Sequence, residues 1–149
     1  MQQYPGLLIA AARHRIKQVV LAQVSQHRLT SQQFWMLIAL RESPGLSQAE
    51  LAARVRADAP TVSRTVSGLL ERGLLRSEPD PDDRRRSRMY LSARGERLAQ
   101  ELASVARDVR AALVDGMDED EVAALRQGLQ RVIANLDRYQ ARVRRKGSP

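Results

Sequence analysis

Cysteine is absent from this 149-residue sequence, and histidine occurs only twice, as His14 and His27. Without cysteine the chain can form no disulfide framework, no thiolate zinc site and no cysteine redox switch. Two histidines alone argue against a structural zinc centre, although a weak site built from histidine and carboxylates stays open. We therefore predict no metal site and no regulation by cysteine oxidation.

Aromatic residues and long apolar runs are also scarce. Three Tyr, one Trp and one Phe are few for a protein that binds single-stranded nucleic acid, which needs aromatic stacking platforms. No run of about 18 apolar residues occurs, so we expect no membrane-spanning segment. The first residues, MQQYPGLLIAAARHR, contain an apolar patch without a basic region before it, which argues against a signal peptide. These features predict a cytoplasmic protein.

Positive charge is in excess, with 25 Lys and Arg against 17 Asp and Glu and a formal net charge of +8. Such an excess favours a polyanionic partner, of which nucleic acid is the commonest. A basic surface that only meets water is the alternative. The sequence contains no glycine-rich phosphate loop, nucleophile elbow or metal-binding motif. We therefore predict neither an enzyme nor a bound cofactor.

The length is that of one domain, and most of it is predicted to be helical. Apolar residues recur at helical spacing over residues 5–25. Three later helices each begin with a capping box, in which the cap residue and a residue three positions on satisfy free backbone N–H groups. These pairs are Thr30 with Gln33, Ser47 with Glu50, and Asp118 with Glu121. Ser92 is the predicted cap of another long helix.

A short helix, a tight break and a second helix occupy residues 47–72, and a β-hairpin is predicted to follow them. Asp58 caps the second helix and Gly73 ends it. Two short strands flank a charged segment at residues 79–86, as expected of a hairpin. This order predicts a winged helix-turn-helix, a mainly α fold with a small β-hairpin as its wing.

An α-helix fits the major groove of B-DNA, so the second helix should present polar side chains from its first turns. Val62, Val66, Leu69 and Leu70 recur on another face, which we assign to the core. A helix whose polar face only meets water is the alternative, but the capped helix before it and the basic hairpin after it argue against that. The predicted contacts with DNA from these helices are Ser47, Gln48, Ala59, Pro60, Thr61, Ser63, Arg64 and Thr65.

The hairpin tip places two acids directly before three arginines, in the segment PDDRRRSRMYLSARG. An arginine that enters a narrow minor groove meets concentrated negative potential, but it must first be held extended. Asp83 and Arg85 are two residues apart and share a side of an extended segment, so Asp83 is predicted to brace Arg85. A solvated turn of mixed charge is the alternative. The predicted phosphate contacts are Arg84, Arg86 and Arg88.

Four segments together resemble the multiple antibiotic resistance regulator, or MarR, family: LTSQQFWMLIAL, LSQAELAARV, DAPTVSRTVSGLLERGLL and DPDDRRRSRMYLSARG. The last is similar to the family's wing pattern of Asp-Arg-Arg followed by Leu-Thr and a Gly. Ser92 replaces the usual Thr and preserves the chemistry of a helix cap. The resemblance covers essentially the whole chain. It implies minor-groove binding by Arg85, a brace at Asp83, and major-groove reading by residues 59–65.

The resemblance also implies an obligate homodimer on an inverted-repeat DNA site. Residues 1–28 and 93–149 would then be dimerisation helices around a DNA-binding domain at residues 29–92. A lone small domain would struggle to bury the apolar residues of its terminal helices, which agrees with a dimer; an intramolecular helical hairpin is the alternative. These residues are Val105, Val109, Leu113, Leu125, Leu129, Val132, Ile133 and Leu136.

Members of the family are often released from DNA by small aromatic acids, so the resemblance implies a ligand-responsive repressor. His14 and Arg15 are candidates to pair with a ligand carboxylate, and Trp35 is a candidate to stack on its ring. Each has a simpler interpretation. His14 would be a surface or interface histidine, Arg15 a solvent-facing or intersubunit charge, and Trp35 part of the domain packing. An architectural or constitutive DNA-binding protein without a ligand is the alternative function.

Overall fold

The computed structural model describes residues 4–146, so residues 1–3 and 147–149 at the ends of the predicted dimerisation segments lie outside it. Within that range no helix combines the length and the apolar character that a membrane crossing requires. The helices are α1 Pro5–Val24, α2 Ser31–Glu42, α3 Gln48–Val55, α4 Ala59–Glu71, α5 Ala93–Ala112 and α6 Glu119–Lys146, with a short 3₁₀ turn at Ser25–His27. The strands are β1 Leu46–Ser47, β2 Leu75–Pro79 and β3 Ser87–Leu91.

The predicted capping boxes fix the starts of α2, α3 and α6. In α2, the Thr30 hydroxyl accepts from the Gln33 N–H at 3.0 Å, and the Gln33 side chain accepts from the Thr30 N–H at 3.0 Å. The same reciprocal bonds join Ser47 to Glu50 and Asp118 to Glu121. Because a capping box uses only neighbouring residues, the sequence alone locates these helix starts.

The three strands form one antiparallel sheet in the order β1-β3-β2. Strands β2 and β3 are the predicted hairpin, with Leu75 opposite Leu91 and Pro79 opposite Ser87. Strand β1 was not predicted. It pairs Leu46 with Met89, and its two residues are too few to show the alternation that identifies a strand in a sequence.

One apolar cluster joins the helix-turn-helix, the sheet, the end of α1 and much of α5. Phe34 and Leu40 of α2 lie at its centre and are fully buried. On α4, the assignment of the apolar face to the core is confirmed for the three residues Val62, Val66 and Leu69. It was wrong for Leu70, which is 37% exposed because it lies at the edge of that face.

The start of α5 is fixed to the beginning of the hairpin. The Ser92 hydroxyl donates to the Gly73 carbonyl at 2.7 Å and accepts from the Gly95 N–H at 3.0 Å, which confirms Ser92 as a helix cap. The Ser92 N–H donates to the Leu74 carbonyl at 3.0 Å. A Cβ at position 95 would collide with that carbonyl, so this close approach requires glycine. Gly73 has a φ of +66°, as expected of the residue that ends α4.

The chain divides into two compact units between Arg110 and Ala111. Val109 is buried within the first unit and Val105 packs against its core, although we expected a lone domain to struggle to bury these two residues. The reason is that their side of α5 covers the winged domain of the same chain. In the second unit, no residue of α6 is buried.

Candidate nucleic-acid interface

The first turns of α4 present polar groups to solvent. Asp58 caps the helix by accepting a hydrogen bond from the Thr61 N–H at 2.7 Å. That bond holds the pKa of Asp58 below its usual value, so the carboxylate stays ionised at the positive end of the helix dipole. Thr61 itself is partly buried. The exposed residues in these turns are Ala59, Pro60, Ser63 and Arg64.

Thr65, also predicted to contact DNA, uses its hydroxyl proton in a hydrogen bond within the helix. Its hydroxyl donates to the Thr61 carbonyl at 2.7 Å. The Arg64 guanidinium lies nearby, with Nη2 3.4 Å from the Thr61 hydroxyl. Since a hydroxyl has one proton to donate, Thr65 is left with acceptor capacity only, whereas phosphate oxygens need donors. Arg64 is therefore the better placed donor in this part of α4.

The two predicted contacts at the start of α3 differ in availability. Ser47 uses its hydroxyl and its N–H in the capping box with Glu50, and it also lies opposite Arg88 in the sheet. Gln48 is exposed at the first position of the helix. Of the two, Gln48 has the side chain that is free to reach a ligand.

Asp83 does not brace Arg85 in the predicted way. Its Oδ1 accepts from the backbone N–H of Arg85 at 3.0 Å, and its Oδ2 lies 3.7 Å from Nε of Arg86. The physical reason is that the segment is a turn, closed by a bond from the Arg86 N–H to the Asp83 carbonyl at 2.9 Å. In a turn, residues two apart no longer share a side, so the carboxylate meets backbone instead of the Arg85 guanidinium.

The basic residues of the wing fall into two groups. Arg84, Arg85 and Arg86 are exposed at the tip. Arg88 was predicted to contact phosphate, but its Nε donates to Oδ2 of Asp80 at 2.9 Å and its side chain is 37% exposed. Arg88 therefore belongs to an ion pair at the base of the wing, and the exposed positive charge is concentrated at the tip.

Asp80 was missed at the sequence level. Its Oδ1 accepts from the N–H groups of Asp82 at 2.8 Å and Asp83 at 3.3 Å. The bond from Asp82, followed by that from Arg88, holds the pKa of Asp80 below its usual value against the opposing effect of burial. The available signal was the segment PDPD at residues 79–82, because Asp side chains readily bind backbone N–H groups two residues on.

The predicted ligand residues lie on α1 and α2. His14 and Arg15 are exposed on α1. Trp35 packs edge-on against Phe34, with ring centroids 4.8 Å apart and an interplanar angle of 70°. The cation placed over Trp35 is Arg110 of α5, whose guanidinium carbon lies 5.9 Å from the ring centroid. Sequence reasoning did not select Arg110.

Arg110 also takes part in an ionic junction of three helices. It donates to Oε1 of Glu42 at 2.7 Å, and Arg54 of α3 donates to Oε2 at 3.1 Å. The bond from Arg110 is the main cause of the lowered pKa of Glu42. Between residues 4 and 146, no group of three or more His, Asp or Glu side chains is arranged to hold a metal ion.

Known proteins are similar to this chain in both sequence and fold. The MarR family model matches residues 27–86. The HTH-type transcriptional repressor NicR of Pseudomonas putida is 31% identical over 128 residues, which are 86% of this chain and 81% of NicR.

Two solved structures extend the comparison. Bordetella bronchiseptica BpsR, whose structure concerns regulation of DNA binding by 6-hydroxynicotinic acid, is 26% identical with a TM-score of 0.75, over 87% of this chain and 93% of BpsR. S. aureus MepR in its DNA-binding conformation is 24% identical with a TM-score of 0.80, over 90% of this chain and 99% of MepR, and shows the shared winged-helix fold. The chain belongs to the MarR family of DNA-binding transcriptional regulators, which are not enzymes.

Proposed function

We propose that this regulator is a homodimeric repressor that binds an inverted-repeat operator and leaves it when a small aromatic carboxylate binds. The observation that carries the proposal is one packed domain that exposes both the first turns of α4 and the arginines of the wing tip. In this arrangement α4 would enter the major groove and the wing would follow the DNA backbone into the minor groove.

The contacts divide into those that read bases and those that position the protein. Ser63 and Arg64 are exposed where a recognition helix meets base edges, and Arg can pair with guanine through two hydrogen bonds. Arg84 and Arg86 would meet phosphates, while Arg85 would enter the minor groove. The wing arginines would thus supply affinity and α4 would supply sequence preference.

An exposed apolar face on α6 supports the dimer. Leu125, Leu129 and Ile133 are 44%, 39% and 39% exposed, and they recur every four residues. Leu136, Tyr139 and Val143 continue the same face toward the end of the helix. A contiguous apolar stripe of this length is typical of a helix that packs on a partner, and two-fold symmetry would match an inverted repeat.

The relatives support an aromatic carboxylate as the effector. 6-Hydroxynicotinic acid, which the BpsR structure concerns, is a small aromatic acid. In this chain Trp35 is half-buried beside the Arg110 guanidinium. Trp35 would offer an aromatic face to the ring of the effector, and Arg110 would pair with its carboxylate. We propose that Trp35 and Arg110 receive the effector, with His14 and Arg15 as further candidates.

Selection of bound duplexes from a random pool tests the DNA-binding part of the proposal. We expect a short inverted repeat to be enriched, and footprinting should show protection limited to that repeat. A protein that coats the duplex without enriching a sequence would instead be an architectural DNA-binding protein.

Release of the selected duplex tests the effector part. 6-Hydroxynicotinic acid and other small aromatic acids should lower DNA affinity, and an aliphatic acid of equal charge should not. A regulator that ignores the whole panel while it retains its operator would be constitutive, which is the alternative function.

A further inference from the structure

Asp80 is the only polar residue that is buried among residues 4–146, with 8% of its surface exposed. A buried carboxylate is costly unless its oxygens are hydrogen-bonded and its charge is balanced. Here Oδ1 accepts from the N–H groups of Asp82 and Asp83, and Oδ2 accepts from Nε of Arg88. Both carboxylate oxygens therefore have hydrogen-bond partners within the wing, and these bonds offset the free-energy cost of burying the charge.

These bonds connect the loop of the wing to its paired strands. The strand pairing ends at Pro79 and Ser87, and the loop between them carries the exposed arginines. The Asp80 N–H closes the loop by donating to the Arg86 carbonyl at 2.9 Å. The Asp80 carboxylate holds the backbone directly before Arg84. The loop backbone is therefore fixed from both ends by one residue.

Arg88 provides the anchor for that carboxylate. It lies on the central strand β3, opposite Glu78 of β2 and Ser47 of β1. Its Nε–H is committed to Asp80, and its charge is balanced by the same carboxylate. Moving this guanidinium away from the base of the wing would leave the buried carboxylate of Asp80 without its counter-ion, so the ion pair holds Arg88 in place.

We infer that Asp80 is the positioning residue of the wing, and that Arg88 acts as its counter-ion and not as a DNA contact. Asp80 holds the loop in the shape that presents Arg84, Arg85 and Arg86 to DNA. The inference rests on the proposed contact between the wing and DNA, and it reassigns one of the predicted contacts.

The salt dependence of DNA binding separates a positioning residue from a contact. Each phosphate neutralised by the protein adds about 0.9 to the magnitude of the slope of log Kobs against log salt on B-DNA. We would measure that slope for the full chain on the duplex selected from the random pool. The variants are Arg88→Ala, Asp80→Asn, their combination, and Arg84→Ala as the matched control at the exposed tip.

We expect Arg84→Ala to reduce the magnitude of the slope by about 0.9, as the loss of one phosphate contact requires. Arg88→Ala should leave the slope unchanged while affinity falls roughly tenfold at every salt concentration, because the loop must then be ordered on binding. Asp80→Asn should lose affinity in the same manner. The combined variant should be little weaker than Arg88→Ala alone, because both changes break one interaction.

A reduction in the magnitude of the slope by about 0.9 in Arg88→Ala, together with unchanged affinity in Asp80→Asn, would overturn the inference. Asp80→Asn keeps an oxygen for the loop N–H groups, so it tests the proposal even if Arg88→Ala does not fold. Failure of the proposed wing contact gives a different result, because Arg84→Ala would then leave both slope and affinity unchanged. Absence of any selected duplex would refute the sequence-specific operator instead.

Discussion

At the scale of single residues, two aspartates of one loop have different tasks although they are only three positions apart. Asp83 is half-exposed and closes a turn with the N–H of Arg85. Asp80 is buried and joins that turn to the sheet. The sequence places both acids before a basic run and predicts a carboxylate brace in the wing. The choice of Asp83 to brace the Arg85 side chain was wrong, because it assumed an extended segment where the structure has a turn.

The lowered pKa of Asp80 predicts how the wing responds to acid. Because the pKa is lower in the folded protein than its unfolded value of about 3.9, ionised Asp80 stabilises the fold above that value. The contribution is lost as the pH falls through the folded pKa. We therefore expect no loss of wing order from this residue between about pH 7 and pH 5, and loosening only below about pH 4.

The amide resonances of Asp82 and Asp83 would report this titration directly, because both N–H groups donate to Asp80. Asp80→Asn should abolish the acid transition at these amides. A transition that persists unchanged in that variant would assign it to another carboxylate.

At the scale of elements, short-range chemistry is predictable from the sequence and long-range pairing is not. The starts of α2, α3 and α6 follow from capping boxes that span four residues each. The hairpin follows from two short strands around a charged turn. Strand β1 and the contact between Arg110 and Trp35 depend on segments that meet only after folding. For the same reason the sequence did not show that Val109 is buried within its own domain.

Arg72, at the end of α4, makes hydrogen bonds to residues that are distant in the sequence. Arg72 donates to the Arg28 carbonyl at 2.9 Å and to the His27 carbonyl at 2.8 Å, which ties the recognition helix to the segment between α1 and α2. Loss of these charge-assisted bonds in Arg72→Ala should lower the free energy of unfolding by roughly 1–3 kcal/mol. Arg107→Ala is the control, since that side chain is 76% exposed on α5.

Urea unfolding followed by circular dichroism would measure both variants. The exposed control should change stability by no more than about 0.5 kcal/mol. Equal losses in the two variants would show that the tether of Arg72 adds nothing beyond an exposed arginine.

At the scale of the whole molecule, the apolar stripe of α6 predicts an obligate dimer. Leu129→Asp or Ile133→Asp would place an unpaired charge in the interface, at a cost on the order of several kcal/mol per ion. Both variants should dissociate or unfold, whereas Gln130→Asp on a neighbouring exposed position should not. Light scattering and sedimentation measure the outcome. A stable, well-folded monomer of the unaltered chain would refute the dimer and, with it, the two-fold operator.

The proposed release by an effector requires a link between the ligand and the geometry of DNA binding, and Glu42 is placed to provide it. It joins α2 to α3 through Arg54 and to α5 through Arg110. A ligand carboxylate that binds Arg110 would compete with Glu42 and loosen this junction. A tenfold loss of DNA affinity needs only about 1.4 kcal/mol of coupling.

Arg110→Ala should therefore weaken binding of 6-hydroxynicotinic acid roughly tenfold, as expected for one lost charge-assisted hydrogen bond. Quenching of Trp35 fluorescence measures this affinity, since Trp35 is the only tryptophan in the chain. Glu42→Gln should bind the acid more tightly, because the internal competitor is weakened. His14→Ala and Arg15→Ala test the two candidates on α1 in the same assay, and Arg107→Ala is the control without an expected effect. If the acid quenches Trp35 equally in Arg110→Ala and the unaltered chain, its carboxylate pairs with another cation and the junction at Glu42 is not the link.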